Sequence, residues 1–450
     1  MDFVVPRVGS VEQSTSFWQG KRVLITSKWS GCAGMDIALH LWKLSMEARG
    51  CNVIVETFSF TEWEPRAQAL LSRFPCRHMF GDINEQFDPK LRKTIMDKQR
   101  DIRNLYLLES SVRGTRPAQK AALKQEAIEN FLCFLEMTLA SSDADVPTSA
   151  GCLLRGTGSL VPDDPDCIWI DCGSPSCKSW SPRGSRLKWL SEDNIGTILW
   201  GDALARTSAR CPDIIFGENV REFDFEFWTT LSQGRYGWHS TNVGPYNVGL
   251  PVSGDRLWWC GVGNSLSLAT PELLAPERVQ KTIFRRIIAS PNMWLNASQA
   301  QLEAHENVVN AHGARLAPHP RNKRCRPEDY LSTNAQLRLL EHRRNACAVR
   351  SKVPALHEVE FFYDISQHVS HSRSPNGWLP RPTTSSCVWA EGAGRLLHPL
   401  ELWSSQGPTE IMNCISGVSL LRVVTVASAR GSVKKWCPST SFQFRCPTKS

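Results

Sequence analysis

Residues 21–26 (Lys-Arg-Val-Leu-Ile-Thr) form a β-branched run of strand length. Gly31 and Gly34 follow, then a stretch from Asp36 to Ala48 with helical character. Val53-Ile-Val55 predicts the next strand and Pro65 to Phe74 a short helix. Strand, glycine turn, helix and strand in this order open a doubly wound parallel sheet. From Pro89 to Ser141 the pattern turns helical, with apolar positions at Leu123, Ile128, Leu132 and Leu135. The segment from Asp143 to Asp166, rich in Ser, Gly, Asp and Pro, predicts a loop. Cys167-Ile-Trp-Ile170, Pro212-Asp-Ile-Ile-Phe216 and Leu257-Trp-Trp-Cys-Gly-Val262 predict three more strands. A short helix at Pro399 to Ser405 and an apolar run from Val418 to Ala427 follow much later.

Composition narrows the class. With 450 residues, 41% hydrophobic and 21% charged, the chain has ample material for a buried core, and wholesale disorder is excluded. The formal charge of +8 is mild and permits a polyanionic partner without requiring one. No basic, apolar leader opens the chain and no apolar run is long enough to span a bilayer, so an intracellular protein with no membrane partner is expected. Sixteen cysteines with no C-x-x-C pair read as reduced thiols, so no metal is expected. Between Arg315 and Lys352 ten Lys or Arg face three acids, which predicts a second, smaller, basic domain.

Five constellations carry candidate chemistry. Trp29-Ser-Gly-Cys-Ala-Gly-Met-Asp36 joins a strand to a helix, where small residues and free helix N–H groups admit a ligand. Glu62-Trp63 follows the next strand, where an acid can hold a ribose diol and an indole can stack on a base. Gly81-Asp82-Ile83 stands where a third strand would end. Asp171-Cys-Gly-Ser-Pro-Ser-Cys177-Lys-Ser-Trp-Ser181 places a cysteine on a loop at a strand's carboxyl end, with Lys178 and Arg183 near enough to favour a thiolate. Gly217-Glu218-Asn219-Val220 sets a carboxyl group after another buried strand, suited to a ring nitrogen of a base.

In this order the motifs resemble those of the cytosine-C5 DNA methyltransferases, and the likeness spans about residues 21–428. Gly249 to Gly261, with Arg256, is similar to that family's Gln/Arg strand motif. Arg395 to Gly407 looks like the segment that packs the target-recognition domain, and Gly417 to Val424 like the final cofactor-side motif. The departures are Ser176 and Lys178 around the cysteine, Pro175 displaced by one position, and Val252 and Gly254 where Gln and Arg are usual. A stretch of about eighty-five residues separates Ile83 from Asp171, where the family has a short connection.

The resemblance implies an α/β fold: a Rossmann-like class I S-adenosylmethionine methyltransferase sheet with a smaller, basic target-recognition domain. It implies S-adenosylmethionine as cofactor, held by Trp29, Ser30, Gly31, Cys32, Ala33, Gly34, Glu62, Trp63, Asp82 and Ile83. Cys177, Glu218 and Arg256 would be catalytic, and Ser181, Asn219, Arg321, Lys323 and Arg324 would meet the substrate. Double-stranded DNA is the implied partner, ahead of tRNA, with a nuclear address in a eukaryote and a cytoplasmic one in a bacterium. The alternatives are a catalytically impaired homologue that still binds cofactor or DNA, and a tRNA cytosine-C5 methyltransferase. The expected division is a lead over 1–20, a catalytic domain over 21–263 with a helical insertion at about 84–165, and target recognition over 264–390. A return to the catalytic domain over 391–430 and a flexible tail over 431–450 complete it.

Overall fold

The computed structural model describes residues 17–31, 33–112, 115–140, 152–158, 160–181, 184–206, 210–244, 252, 254–264, 266, 295, 297–298, 300–302, 328, 331–353, 360–369, 378–380 and 386–404. The chain divides into two compact units, Met1–Ala289 and Ser290–Ser450. The first holds an eight-stranded sheet in the order β4-β3-β2-β1-β5-β6-β8-β7. In chain order its elements are β1 (Arg22–Lys28), α1 (Gly34–Glu47), β2 (Ile54–Thr61), α2 (Pro65–Leu71), β3 (His78–Phe80), α3 (Pro89–Ser110) and α4 (Pro117–Ala140). Then come β4 (Leu153–Arg155), β5 (Ile168–Gly173), α5 (Ile195–Arg206), β6 (Ile214–Val220), α6 (Phe225–Thr230), β7 (Tyr236–Val243) and β8 (Arg256–Gly263).

β1 pairs in parallel with β2 and β5, β2 with β3, and β5 with β6. β8 runs antiparallel between β6 and β7. The chain winds outward from β1 in one direction through β2 and β3, and in the other through β5 and β6. The switch point therefore lies between β1 and β5, where open α/β sheets bind their ligands. The strands of this centre are buried on both faces, as parallel sheets require: the five inner residues of β1 and all six of β5 are buried. One face packs Val23, Ile25, Val55 and Ile170 with Met46 and the edge of Trp42 from α1. The largest core cluster joins Trp189, Trp200, Trp228 and Trp259 to Ile95, Phe131 and Leu135 of α3 and α4.

Local sequence sets the helix starts. Glu64 caps α2 by accepting from the Ala67 N–H at 2.8 Å, with Pro65 at its first position. Asp88 caps α3 in the same way through Leu91, ahead of Pro89. The expected insertion is a pair of long helices that share the main core, with α3 tied inward where the Gln99 amide donates to the Trp189 and Ser191 carbonyls at 2.7 and 3.0 Å. The segment read as a loop over 143–166 contains β4, which pairs antiparallel with β3 at the sheet's edge. β7 has no counterpart among the strands expected from the sequence.

In the second unit, α7 (Thr333–Lys352) precedes a three-stranded antiparallel sheet of β9 (Phe362–Asp364), β10 (Val388–Ala390) and β11 (Arg395–Leu396), followed by α8 (Pro399–Ser404). β11 pairs with β10, so Arg395 adds to this small sheet. Three arginines of the basic block have internal partners. Arg338 donates to the Ser366 carbonyl, Arg343 pairs with Glu328 and Glu391, and Arg350 lies 4.3 Å from the Phe361 ring centroid. Arg321, Lys323 and Arg324, the apolar run at 418–427 and the tail lie outside the described residues.

Candidate active site

Strand register brings the motifs together before any side chain is considered. Lys28 is level with Gly173, and Gly173 with Gly217, so the loops after β1 and β5 and the end of β6 form one row. The Ser174 N–H donates to the Lys28 carbonyl at 3.4 Å across the switch point.

On the β1 side the backbone turns through left-handed Trp29 (φ 50°), Gly31 (φ 53°) and Ala33 (φ 61°) into α1. Ala33 caps α1 without a side-chain acceptor, but the first turn holds Asp36, which is buried and accepts from Thr57 Oγ1 at 3.0 Å; burial pushes its carboxyl up to about 7. Ser30 is buried, its hydroxyl bridging the Ser27 and Thr61 carbonyls at 2.9 and 3.2 Å. The Glu62 carboxylate accepts from the Gly31 N–H and the Glu64 N–H, each at 2.9 Å. The glycine turn and the acid after β2 therefore meet directly. Trp63 is 60% exposed and offers a free ring face. Asp82 caps the turn Ile83–Gln86 by accepting from the Asn84 N–H at 2.9 Å. Ile83 is buried in the main core, where a Cβ on Gly196 would come within 2.8 Å of Ile83 and 3.4 Å of Trp29. Cys32 lies outside the described residues.

On the β5 side Cys177 is partly exposed at the edge of the main core. Its carbonyl accepts from the Trp180 and Ser181 N–H groups at 3.2 and 2.9 Å, closing a tight turn. Asn219 is buried, and its amide donates to the Pro175 carbonyl at 3.2 Å, fastening β6 to the cysteine loop. The motif around it is the end of β6 itself, not a loop beyond the strand. Glu218 faces Ser174 and pairs with Arg256 of β8, with Nε 2.6 Å from Oε1. Burial raises the Glu218 carboxyl above its ordinary range; Arg256 and the Ser174 hydroxyl oppose that without cancelling it. Gly254, where the family has an arginine, has φ 125°, a backbone that an arginine side chain would strain.

One group of interacting residues is not evident from sequence. Asp171 is 1% exposed and accepts from Thr26 Oγ1 at 2.6 Å and Trp200 Nε1 at 2.8 Å, and it is paired with Lys28. Trp169 donates to the same Thr26 hydroxyl at 2.8 Å. A mainly apolar hollow against this sheet face is lined by Phe87, Trp169, Trp200 and Leu204, with Thr26, Lys28 and Asp171 at its wall. A lysine at the end of β1, after Thr26 and Ser27, is the available signal, readable only once β1 and β5 are known to be neighbours.

The sheet order decides the fold class. It is a Rossmann-like, doubly wound sheet, with β8 running antiparallel between β6 and β7. Among solved structures the chain is similar to the S. pombe Dnmt2 methyltransferase (15% identity, 66% of this chain and 67% of that one, TM-score 0.33). It is also similar to the Entamoeba histolytica methyltransferase EhMeth (12% identity, 66% and 63%, TM-score 0.33). A third is a putative DNA modification methyltransferase encoded within an E. coli prophage (13% identity, 90% and 98%, TM-score 0.37). No protein-family model and no curated protein matches the chain. Among the described residues no group of three or more His, Cys, Asp or Glu is placed to hold a metal, and no helix is long and apolar enough to cross a membrane.

Proposed function

We propose that this chain is an S-adenosylmethionine-dependent DNA (cytosine-5-)-methyltransferase. The observation that carries the reading is the Glu218–Arg256 pair beside a cysteine loop that Asn219 fastens to the same strand. The left-handed turn into α1 and the buried Glu62, suited to a ribose diol, fit the cofactor. Trp63 is suited to cover an adenine and Asp82 to accept its amino group. When bound, S-adenosylmethionine supplies the methyl group as an electrophile.

C5 of cytosine is too weak a nucleophile to take a methyl group unaided. The Cys177 thiolate adds to C6 of a flipped cytosine, forming a C–S bond and pushing an electron pair toward N3. Protonated Glu218 hydrogen-bonds N3 and takes up that charge, while Arg256 fixes the carboxyl group. The resulting enamine makes C5 reactive. Once C5 carries the methyl group, water in the cleft takes the C5 proton, the C5–H electron pair forms the C5–C6 double bond, and the C6–S bond breaks with its electrons to return the thiolate. Ser181 and Asn219 keep the loop in place for both addition and release.

The test is labelled methyl transfer to duplex DNA containing 5-fluorocytosine, whose fluorine blocks the final elimination. A covalent adduct that disappears in Cys177→Ser supports the reading. Cofactor binding without transfer or adduct favours the impaired homologue, and labelling of tRNA alone moves the substrate to RNA.

A further inference from the structure

The turn Ile83–Gln86, headed by Asp82, is tied both to the sheet and to the helical insertion. The Gly81 N–H donates to the Cys152 carbonyl beside β4 at 2.6 Å. Gln86 is buried, and its amide donates at 2.9 Å to Thr61 Oγ1 at the end of β2, one residue before Glu62. From the start of α3, Arg92 Nη1 donates to the Asn84 carbonyl at 2.6 Å. Within this frame Asn84 grips one oxygen of Asp82 twice, since its N–H and its Nδ2 each donate to Oδ1 at 2.9 Å. Oδ2 of Asp82 makes no hydrogen bond among the described residues. The N–H alone already caps the turn, so the Nδ2 bond is an addition. With Nδ2 turned to the carboxylate, the buried Oδ1 of Asn84 is left without a partner, which is destabilising. Its place depends on Gly196 of α5, where a Cβ would lie 3.2 Å from that oxygen. A turn built for stability alone has no use for such an arrangement.

A carboxylate held by one oxygen has a fixed direction for the other. As an acceptor, that second oxygen attracts an amino group and repels a carbonyl. We infer that Asn84 and Arg92 are positioning residues for cofactor selectivity: Asn84 aims the open oxygen of Asp82 at the 6-amino group of the adenine, and Arg92 holds Asn84 in place. The inference rests on the proposed S-adenosylmethionine-dependent activity, in which Asp82 meets the adenine. It gives the helical insertion a part in the cofactor site, because Arg92 belongs to the first turn of α3.

The experiment is calorimetric titration of the full chain with S-adenosylhomocysteine and with its 6-oxo counterpart, S-inosylhomocysteine. The wild type should bind the amino form more tightly by about tenfold or more, since the oxo form turns a lone pair toward the carboxylate. Asn84→Ala keeps the backbone N–H and removes Nδ2, and should reduce that ratio roughly fivefold. Asn84→Asp, equal in size, sets a second carboxylate against Asp82 and should reduce it further. Arg92→Met should reduce the ratio about threefold, and Arg92→Lys, which keeps a donor for the carbonyl, should restore most of it. Lys93→Gln, whose side chain pairs with Asp97, should leave the ratio unchanged. Both ligands are titrated into the same preparation, so the ratio does not depend on the fraction folded. An unchanged ratio in Asn84→Ala and Arg92→Met, or an equal loss for both ligands, overturns the positioning role and leaves the activity standing. A wild type that binds the two ligands equally overturns the inference at Asp82. A wild type that binds neither overturns the cofactor on which the inference rests.

Discussion

Replacing Lys28 by methionine keeps the length of the side chain and removes the counter-charge of a carboxylate with almost no water around it. Asp171 is 1% exposed, and its neutral donors, Thr26 Oγ1 at 2.6 Å and Trp200 Nε1 at 2.8 Å, survive the change. Removing one member of a buried pair costs about 3–5 kcal/mol, because the other charge stays behind uncompensated. The Lys28 side chain is 15% exposed, which places Lys28→Met near the lower end, about 3 kcal/mol. At roughly 2–4 °C per kcal/mol for a unit of this size, the first transition should fall by about 6–12 °C. Asp171→Asn in the same background should recover much of this, since a neutral amide has no charge to strand. Urea and thermal unfolding at pH 7, read by tryptophan fluorescence and closed as a double-mutant cycle, measure both. A loss below about 1 kcal/mol, or strict additivity in the cycle, would refute the coupling.

Other expectations follow from the site and its supports. The Glu218 carboxyl is raised by burial, so its protonated form persists to higher pH than an exposed glutamate's, and activity should decline as pH rises through the raised value. Glu218→Gln should lower kcat and erase that limb of the pH–rate profile; a variant that keeps the limb assigns it to another group. Gly217→Ala would set a Cβ 2.1 Å from the Trp259 ring, and overpacking of this kind destabilises by about 1–3 kcal/mol in urea titration. In the second unit Glu401 is 1% exposed and accepts from Arg395, the Ala297 N–H and the His398 N–H. Burial alone would raise its carboxyl, but these donors outweigh it and hold the value low. The stability it supplies is present above the ordinary glutamate range and is lost as pH falls through the depressed value. Glu401→Ala should destabilise by about 3 kcal/mol at pH 7, and the difference from wild type should shrink on acidification.

The parallel centre of the sheet was legible because its strands are buried on both faces and read as apolar runs, as in β1 and β5. Glycine turns and acids at strand ends then marked the cleft, and Gly31 and Glu62 do meet. β4 was hidden because its three residues, Leu153–Arg155, are all exposed at an edge and carry no alternation. β7 was hidden for a related reason: Tyr236–Val243 mixes Gly, His, Ser, Thr and Asn, and its place is set by pairing with β8. The basic block misled in part, since charge in a sequence does not say which way a side chain points. Arg338, Arg343 and Arg350 bind their own unit's carbonyls, acids and ring.

β1 and β5 are neighbours in the sheet yet about 140 residues apart along the chain. During synthesis β1 emerges early and can take β2 as a partner at once, while its other edge waits for β5. At about 5–20 residues per second that wait lasts on the order of ten seconds. For that time the nascent chain exposes an open, apolar strand edge, the kind that recruits other chains. The two long helices are made within this interval. Because their buried faces meet Trp189 and Trp200, which appear only after β5, they cannot reach their final packing until the edge is filled. The interval between β1 and β5 is thus when this protein is most exposed to aggregation, and slowing translation after residue 110 should worsen yield more than slowing it after residue 220.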